Sequence, residues 1–404
     1  MLSLYIHIPF CSQICPYCSF AITANQSPDI ISDYLVKLHQ EIDFYALKYP
    51  RAEIKTLYFG GGTPNLIGTQ EIKKLIDHVF SAFDCENLAE LSIEYNPFPH
   101  DDILKFVSDL NNYYRKLSRL RFSFGIQSLD NSLLQSISRP YSFLGMVDFF
   151  RALQPLKQDN NIFNFDFIAF GKFNQTKKGN SQLRNPSALS FFSDFVNSHF
   201  ADSFSLYTLE ISPHQLWNRL PHFVKPYGTE DEIYEEFDIL KEILLDAGYS
   251  RYEISNFSLI SKSSIHNRVY REMEPYLGLG LGASSLLTAT FCEVKDEKVL
   301  GVRQTNTSYL HKYLTDPFSG GPDTEIITLS PKDYLIESFF LALRTDFGVH
   351  DLEKYASILV PDYREKINQM ETDGLLIYHD NRLILTDRGM DVYSWIITEL
   401  MSEI

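Results

Sequence analysis

The sequence predicts an α/β fold: a partial (β/α)6 barrel followed by a small winged-helix-like domain at the C-terminal end. Two observations carry this. Over the first two thirds of the chain, apolar β-rich runs alternate with amphipathic helical stretches, and near the end several helical patterns surround two short strands. Strands that alternate with helices form parallel sheets, because a parallel connection needs a crossover long enough to hold a helix. Six such units nearly close a barrel.

Taken in order, the expected strands are residues 4–9, 54–59, 91–95, 120–126, 162–170 and 203–209. Helical patterns lie between and after them, for example at 29–46, 70–83, 143–156, 188–197 and 230–247. The stretch 172–187, rich in Lys, Gly, Asn and Ser, reads as a long loop after the fifth strand. A second unit begins near Thr328, with helical patterns at 331–344, 350–359 and 362–373. Two short strands, 375–378 and 383–385, then flank a His379-Asp380-Asn381 turn, and a last helix runs from Asp387 to the end. The expected division is a barrel core over 1–215, a barrel extension over 216–327 and a winged-helix-like domain over 328–404. Such a wing often binds DNA, but the formal net charge of -16 argues against that and favours packing on the barrel.

The same charge disfavours a sequence-independent grip on nucleic acid or anionic lipid, both of which recruit clustered Lys and Arg. The N-terminus has no basic stretch followed by a long apolar one, and no apolar run reaches the roughly 20 residues that cross a bilayer. The expected location is therefore the cytoplasm, with no transmembrane segment. Three of the five cysteines fall between positions 11 and 18, a poor disulfide framework for a reducing compartment and a good metal site. Cys85 and Cys292 stand alone and read as ordinary thiols.

The chemistry starts at Cys11-Ser12-Gln13-Ile14-Cys15-Pro16-Tyr17-Cys18, directly after the first strand. Three thiolates this close can face one point and bind a soft metal. A zinc site would need a fourth ligand, and His7 is the only near one. With three ligands for four irons, one iron of a cubane stays open to a substrate or cofactor. After the second strand comes Gly60-Gly61-Gly62-Thr63-Pro64, whose exposed N–H groups would suit a carboxylate or phosphate. Polar residues also stand at the ends of the next four strands: Glu94 and Asn96, Gln127, Asp166, then Tyr207 with Glu210. In α/β barrels that rim binds ligands.

These residues carry a family resemblance. Cys11-x3-Cys15-x2-Cys18 is similar to the signature of the radical S-adenosylmethionine (SAM) superfamily. The surrounding Tyr5-Ile6-His7-Ile8-Pro9-Phe10-Cys11 resembles the oxygen-independent coproporphyrinogen oxidases and their heme-chaperone relatives. The likeness continues through Gly60 to Asn65, Glu94-Tyr95-Asn96-Pro97, Ser123 to Ser128, Tyr249 to Phe257, His266-Asn267-Arg268-Val269-Tyr270, Tyr276 to Ala283, and Leu385 to Gly389. It implies a radical SAM barrel, a 4Fe-4S cluster on Cys11, Cys15 and Cys18, and bound SAM. Tyr5 and Tyr17 would flank the cluster and SAM, and Gly61, Gly62 and Thr63 would meet the amino-acid end of SAM through the backbone. Glu94, Gln127, Arg139 and Asp166 would fix its methionine and ribose parts. Partners implied are heme or a porphyrinogen, a heme-acceptor protein, and an electron donor such as flavodoxin or ferredoxin.

Departures from the pattern are as informative. Where relatives usually show Leu-Gly-Arg-x-His, this chain has Ile137-Ser138-Arg139-Pro140-Tyr141, and a Tyr-Gly-Leu-Pro-Gly-Gln stretch becomes Phe170-Gly171-Lys172-Phe173-Asn174-Gln175. Ser264 replaces a common Cys, and Arg271 a common Trp. Two functions follow from the resemblance. As an oxidase, the protein would use a 5'-deoxyadenosyl radical to decarboxylate coproporphyrinogen propionates. As a heme chaperone, it would hold heme and pass it to an acceptor. Oxidases of this family carry an extension before the cysteine loop, whereas here Cys11 comes almost at once. His266-Asn267-x-x-Tyr270 resembles the chaperones' heme-associated motif, and both His and Tyr can ligate heme iron. Arg268 and Arg271 stand close in sequence to this pair, and heme carries two propionates. The expectation is the chaperone, with His266 and Tyr270 as its heme residues.

Overall fold

The computed structural model of the protein describes residues 1–171, 186–211, 215, 227–288, 291, 294, 296, 298–315, 318 and 324–402. Six strands lie side by side in chain order, all parallel: β1 (Leu2–Ile8), β2 (Ile54–Gly61), β3 (Glu90–Tyr95), β4 (Leu120–Gln127), β5 (Asn161–Ala169) and β6 (Ser203–Thr208). The five crossovers each contain a helix: Pro28–Lys48, Thr69–Ala82, His100–Tyr113, Phe143–Leu153 and Pro186–Asn197. Of these, His100–Tyr113 was not among the stretches read from the sequence. Side-chain alternation makes the strands two-faced. In β1, Leu2, Leu4, Ile6 and Ile8 are fully buried in the apolar core, while Ser3, Tyr5 and His7 face the concave side and hydrogen-bond there. The outer layer is rich in phenylalanine, and Phe150 stacks on Phe195 with ring centroids 4.4 Å apart.

The six strands do not close on themselves. Among the described residues they form half of a twelve-stranded sheet. Beyond β1 come Tyr276–Leu279, parallel to it, then Ser284–Thr288, Gly301–Thr305 and Glu325–Leu329, each antiparallel to its neighbour. Beyond β6 come Asn256–Ser258 and Ser250–Glu253. These six short strands escaped the sequence reading because each spans five residues or fewer, too short for periodicity to register.

A short helix, Ile265–Arg271, lies against the concave face. Ser264 caps it, its Oγ accepting from Asn267 N at 3.2 Å. The buried Glu90 of β3 accepts from Ile265 N and His266 N, both at 3.1 Å, and from Ser264 Oγ, also at 3.1 Å. Burial alone would raise this carboxyl. Arg121, Arg119 and the two backbone N–H groups outweigh it and hold Glu90 below the ordinary range. Ser264, a departure from the family pattern, is thus a cap and a partner of Glu90.

The C-terminal unit has its own core, including Phe339, Val349, Ile367, Leu383 and Ile396. Its antiparallel sheet runs Val349–His350, Arg382–Leu385, Leu376–His379 in spatial order, among helices Pro331–Ala342, Tyr363–Thr372, Asp387–Asp391 and Tyr393–Leu400. The hairpin turn is Asp380-Asn381, with φ of 51° and 61°, the left-handed pair a two-residue type I′ turn requires. Two expectations change. The helix foreseen over 350–359 is a short strand followed by a 3-10 turn, Leu352–Tyr355, entered through left-handed Asp351 at φ 54°. The last helix breaks at Val392, which leaves helical geometry at φ -110° and ψ 23°. No helix among the described residues is long and apolar enough to cross a membrane.

Candidate functional site

The cysteine loop is a tied-off excursion from β1. Its ends meet as a two-strand parallel pair, Phe10–Cys11 with Thr23–Ala24. A turn inside it joins Cys18 N to Cys15 O at 3.0 Å. The glycine run after β2 lies directly beneath. Gly62 N donates to Ile8 O and Thr63 N to Phe10 O, each at 2.9 Å, while Gly61 N donates to Glu94 Oε2 at 3.1 Å. The N–H groups expected to face a ligand are therefore all committed inside the protein. The glycines serve close approach: a Cβ on Gly62 would come within 2.8 Å of Phe10 O, and one on Gly61 within 2.4 Å of the His7 ring.

Burial pushes the Cys18 thiol up to about 11 and raises that of Cys11, so these sulfurs stay protonated until a cation compensates them. Among the described residues, no three His, Cys, Asp or Glu side chains gather closely enough to hold one metal ion. A cubane binds each thiolate to a different iron and so takes sulfurs that stand apart, which this loop can supply. His7 has both ring nitrogens engaged, Nε2 with Ala21 O at 2.9 Å and Nδ1 with the Tyr5 hydroxyl at 3.1 Å. Since Ala21 O only accepts, Nε2 carries the proton. Burial lowers the imidazole to about 4, keeping it neutral.

Of the residues assigned to SAM, Glu94, Gln127 and Asp166 lie on three different strands, and Arg139 lies in the connection after β4. Arg139 donates through Nη2 to the Tyr17 hydroxyl at 2.7 Å, and its buried Nε meets no partner among the described residues. Gly125 makes room for Gln127, since a Cβ there would lie 2.7 Å from Gln127 Nε2. Gln127 itself is left-handed at φ 70°, where the β4–β5 register shifts. Glu94 accepts from the Tyr58 hydroxyl at 2.7 Å and is pushed up to about 7, mainly by burial. Asp166 accepts from Asn164 Nδ2 at 2.7 Å and Ser123 Oγ at 3.1 Å, and burial still raises it. Tyr58 and Asn164 were not singled out from the sequence, and Ser123 only as the start of the Ser123 to Ser128 stretch; the signal was the period-2 polar alternation within their strands. Tyr207 is 42% exposed and Glu210 is exposed.

The departures near Arg139 have physical roles. Tyr141, in place of a His, donates to Gly125 O at 3.0 Å. Ser138, in place of a Gly, sits at φ 63°, and its carbonyl accepts from Gln13 of the cysteine loop. A left-handed non-glycine residue costs about 1–2 kcal/mol, partly offset by the freedom glycine adds to the unfolded chain. Ser138→Gly is therefore expected to stabilise the protein by about 0.5–1 kcal/mol, read as a higher urea midpoint at unchanged slope. A lower midpoint would show that the serine side chain matters more than its backbone.

A cavity of about 590 Å³ opens beside the cysteine loop, with Tyr5, His7, Tyr270, Arg271, Tyr276 and Arg303 on its wall. Tyr5 and His7 join it to the loop; Tyr270 brings it to the short helix. His266 lies behind Tyr270, at 0% exposure. The Thr56 hydroxyl donates to Ser3 Oγ and so accepts from His266 Nδ1 at 2.7 Å, leaving Nε2 to accept from the Tyr270 hydroxyl, also at 2.7 Å. Its ring stacks on Tyr58 at 4.8 Å, and burial lowers it to about 4. Arg268 turns away to Asp346, with both contacts at 3.1 Å. Cys85 is a half-buried thiol pushed up to about 12 by burial, and Cys292 lies outside the described residues, as does most of the 172–187 loop.

A six-stranded parallel partial barrel with a three-cysteine loop after its first strand defines a radical SAM protein. Residues 5–174 match the family model described as the radical SAM superfamily, and 329–392 match that of the HemN C-terminal domain. The chain is 29% identical to the heme chaperone HemW of Lactococcus lactis over 96% of its own length and 94% of that protein's. For the HemW of Buchnera aphidicola subsp. Schizaphis graminum the identity is 30%, over 71% and 70% of the two chains. The fold is shared with the coproporphyrinogen III oxidase HemN of Escherichia coli, at a TM-score of 0.74 and 19% identity, covering 100% of this chain and 90% of that one. The chain belongs to the HemW family of the radical SAM superfamily, which implies an iron–sulfur cluster and SAM.

Proposed function

We propose that this protein is a heme chaperone, holding heme in the cavity beside the cysteine loop and passing it to an acceptor protein. The observation that carries the reading is the Tyr270–His266 pair, a phenol on the cavity wall oriented by a buried imidazole. Tyr270 lines the cavity while its hydroxyl is held by the fully buried His266, so Tyr270 stands between that imidazole and a bound heme. Cys11, Cys15 and Cys18 would hold a 4Fe-4S cluster, with SAM between Tyr17, Arg139, Gln127, Glu94 and Asp166. When bound, a cluster with one iron open to SAM supplies the electron that breaks a sulfur–carbon bond of SAM, for which a flavodoxin or ferredoxin is a suitable donor. The chain's own part is to orient: Arg139 offers a guanidinium to a carboxylate, and Glu94 and Asp166 offer acceptors to ammonium or ribose hydroxyls. The working division stays at 1–215, 216–327 and 328–404.

The test is heme titration of the intact, anaerobically purified chain beside a coproporphyrinogen assay. One heme per chain is expected, with a Soret band that shifts in Tyr270→Phe and less so in His266→Ala. No SAM-dependent loss of coproporphyrinogen is expected above a Cys15→Ala control. Turnover above that control would replace the chaperone by the oxidase.

A further inference from the structure

We infer that Arg271 and Arg303 form a two-carboxylate subsite of the cavity, where the acidic edge of a tetrapyrrole sits while its centre meets Tyr270. This rests on the heme reading above and adds which side chains take the propionates. Both arginines line the cavity together with Tyr270 and Tyr276. They come from distant parts of the chain: Arg271 ends the short helix, and Arg303 is the middle residue of Gly301–Thr305.

Each guanidinium is held from behind. Arg303 donates through Nε and Nη2 to Glu337 Oε2 at 2.8 and 2.5 Å, and through Nη1 to the Tyr276 hydroxyl at 3.1 Å. The Tyr276 ring meets Tyr270 edge-on, at 4.6 Å and 76°. Arg303, Tyr276 and Tyr270 therefore form one contact chain. Arg271 donates through Nε to Oε2 of Glu253 at 3.3 Å, and Glu253 is 2% exposed. Among the described residues, the two terminal nitrogens of Arg271 meet no hydrogen-bond partner. A guanidinium fixed through Nε keeps its terminal N–H pair in one plane, the geometry that takes a carboxylate bidentately. A protein of formal net charge -16 repels a dianionic ligand at long range, so its capture needs cations on the cavity wall itself. Arg268, which does not line the cavity, is not one of them.

The test compares heme with its dimethyl ester, which keeps the ring and iron but carries no carboxylate charge. Dissociation constants are measured for both ligands on the intact wild-type chain, on Arg271→Gln and on Arg271→Lys. The wild type should bind the ester about tenfold or more weakly than the diacid, because charged hydrogen bonds are lost. Arg271→Gln should weaken the diacid by several-fold to about tenfold and leave the ester unchanged, with Arg271→Lys between. The unchanged ester affinity shows that the variant is folded. Arg271→Gln releases Glu253 as Arg303→Gln would release Glu337, so the ester affinity and the Arg271→Lys variant serve as the control for that loss, and the share of Arg303 is read from the ester penalty that remains in Arg271→Gln. Equal affinity of diacid and ester for the wild type overturns the subsite and leaves heme carriage standing. If neither ligand binds, heme carriage fails, and the subsite with it.

Discussion

Anaerobically reconstituted protein is expected to hold about four irons per chain, as a cubane ligated at three corners requires. Changing Cys11, Cys15 or Cys18 to Ala should abolish the brown chromophore outright. The loss is complete rather than partial because the three sulfurs share one loop, tied at Phe10–Cys11 and Thr23–Ala24, and no described histidine stands ready as a substitute. His7, the nearest, has its nitrogens committed to Ala21 and Tyr5. Cys85→Ala and Cys292→Ala should keep the colour and the iron. Iron content and the visible spectrum check this. Stoichiometric zinc without iron uptake in protein purified free of oxygen would sink the cluster assignment.

The second large effect is expected on SAM affinity. Glu94→Gln and Asp166→Asn each remove a carboxylate with little change in volume, and Arg139→Gln removes the guanidinium with a shorter side chain. Loss of a hydrogen bond to a charged group is worth about 1.5–3 kcal/mol, around tenfold or more in Kd. Glu94 adds a pH signature. Burial pushes its carboxyl up to about 7, so near neutrality the free protein holds a mixture of both forms. An ammonium or a ribose hydroxyl is better held by the ionised form. SAM affinity should therefore rise as pH increases through about 7 and level off above it, and Glu94→Gln should flatten that rise. Thermal stability should change little in Glu94→Gln, since neutralising a carboxylate that burial already disfavours removes no net support from the fold. Isothermal titration across pH 6 to 8.5 is the measurement. Unaltered SAM affinity in all three variants would remove these residues from the site.

Much of the barrel is legible in sequence because its signals are local. The alternation in Leu2-Ser3-Leu4-Tyr5-Ile6-His7-Ile8 marks a strand with an apolar and a polar face, and the Cys11, Cys15, Cys18 spacing marks one loop with three sulfurs. A Gly and turn-forming Asp and Asn at φ above zero are likewise readable from the chemistry of those residues alone. These features are decided within a few residues, so chain order carries them.

Other features needed the fold. The N–H groups of Gly61, Gly62 and Thr63 look available in sequence, yet Glu94, Ile8 and Phe10 take all three once the strands are in register. Ser264 and Tyr141 look like losses, and the structure gives each a hydrogen bond, to Glu90 and to the end of β4. Arg268 and Arg271 look equivalent three residues apart, but only Arg271 reaches the cavity, and its companion there is Arg303. What the sequence alone determined was the run of strands and helices, the metal-binding loop and the family it resembles. Tertiary structure decided which polar groups are already paired and which still face a ligand, because pairing depends on strand register and on contacts such as Thr56 with His266, which join residues far apart in the chain and leave no periodic trace in it.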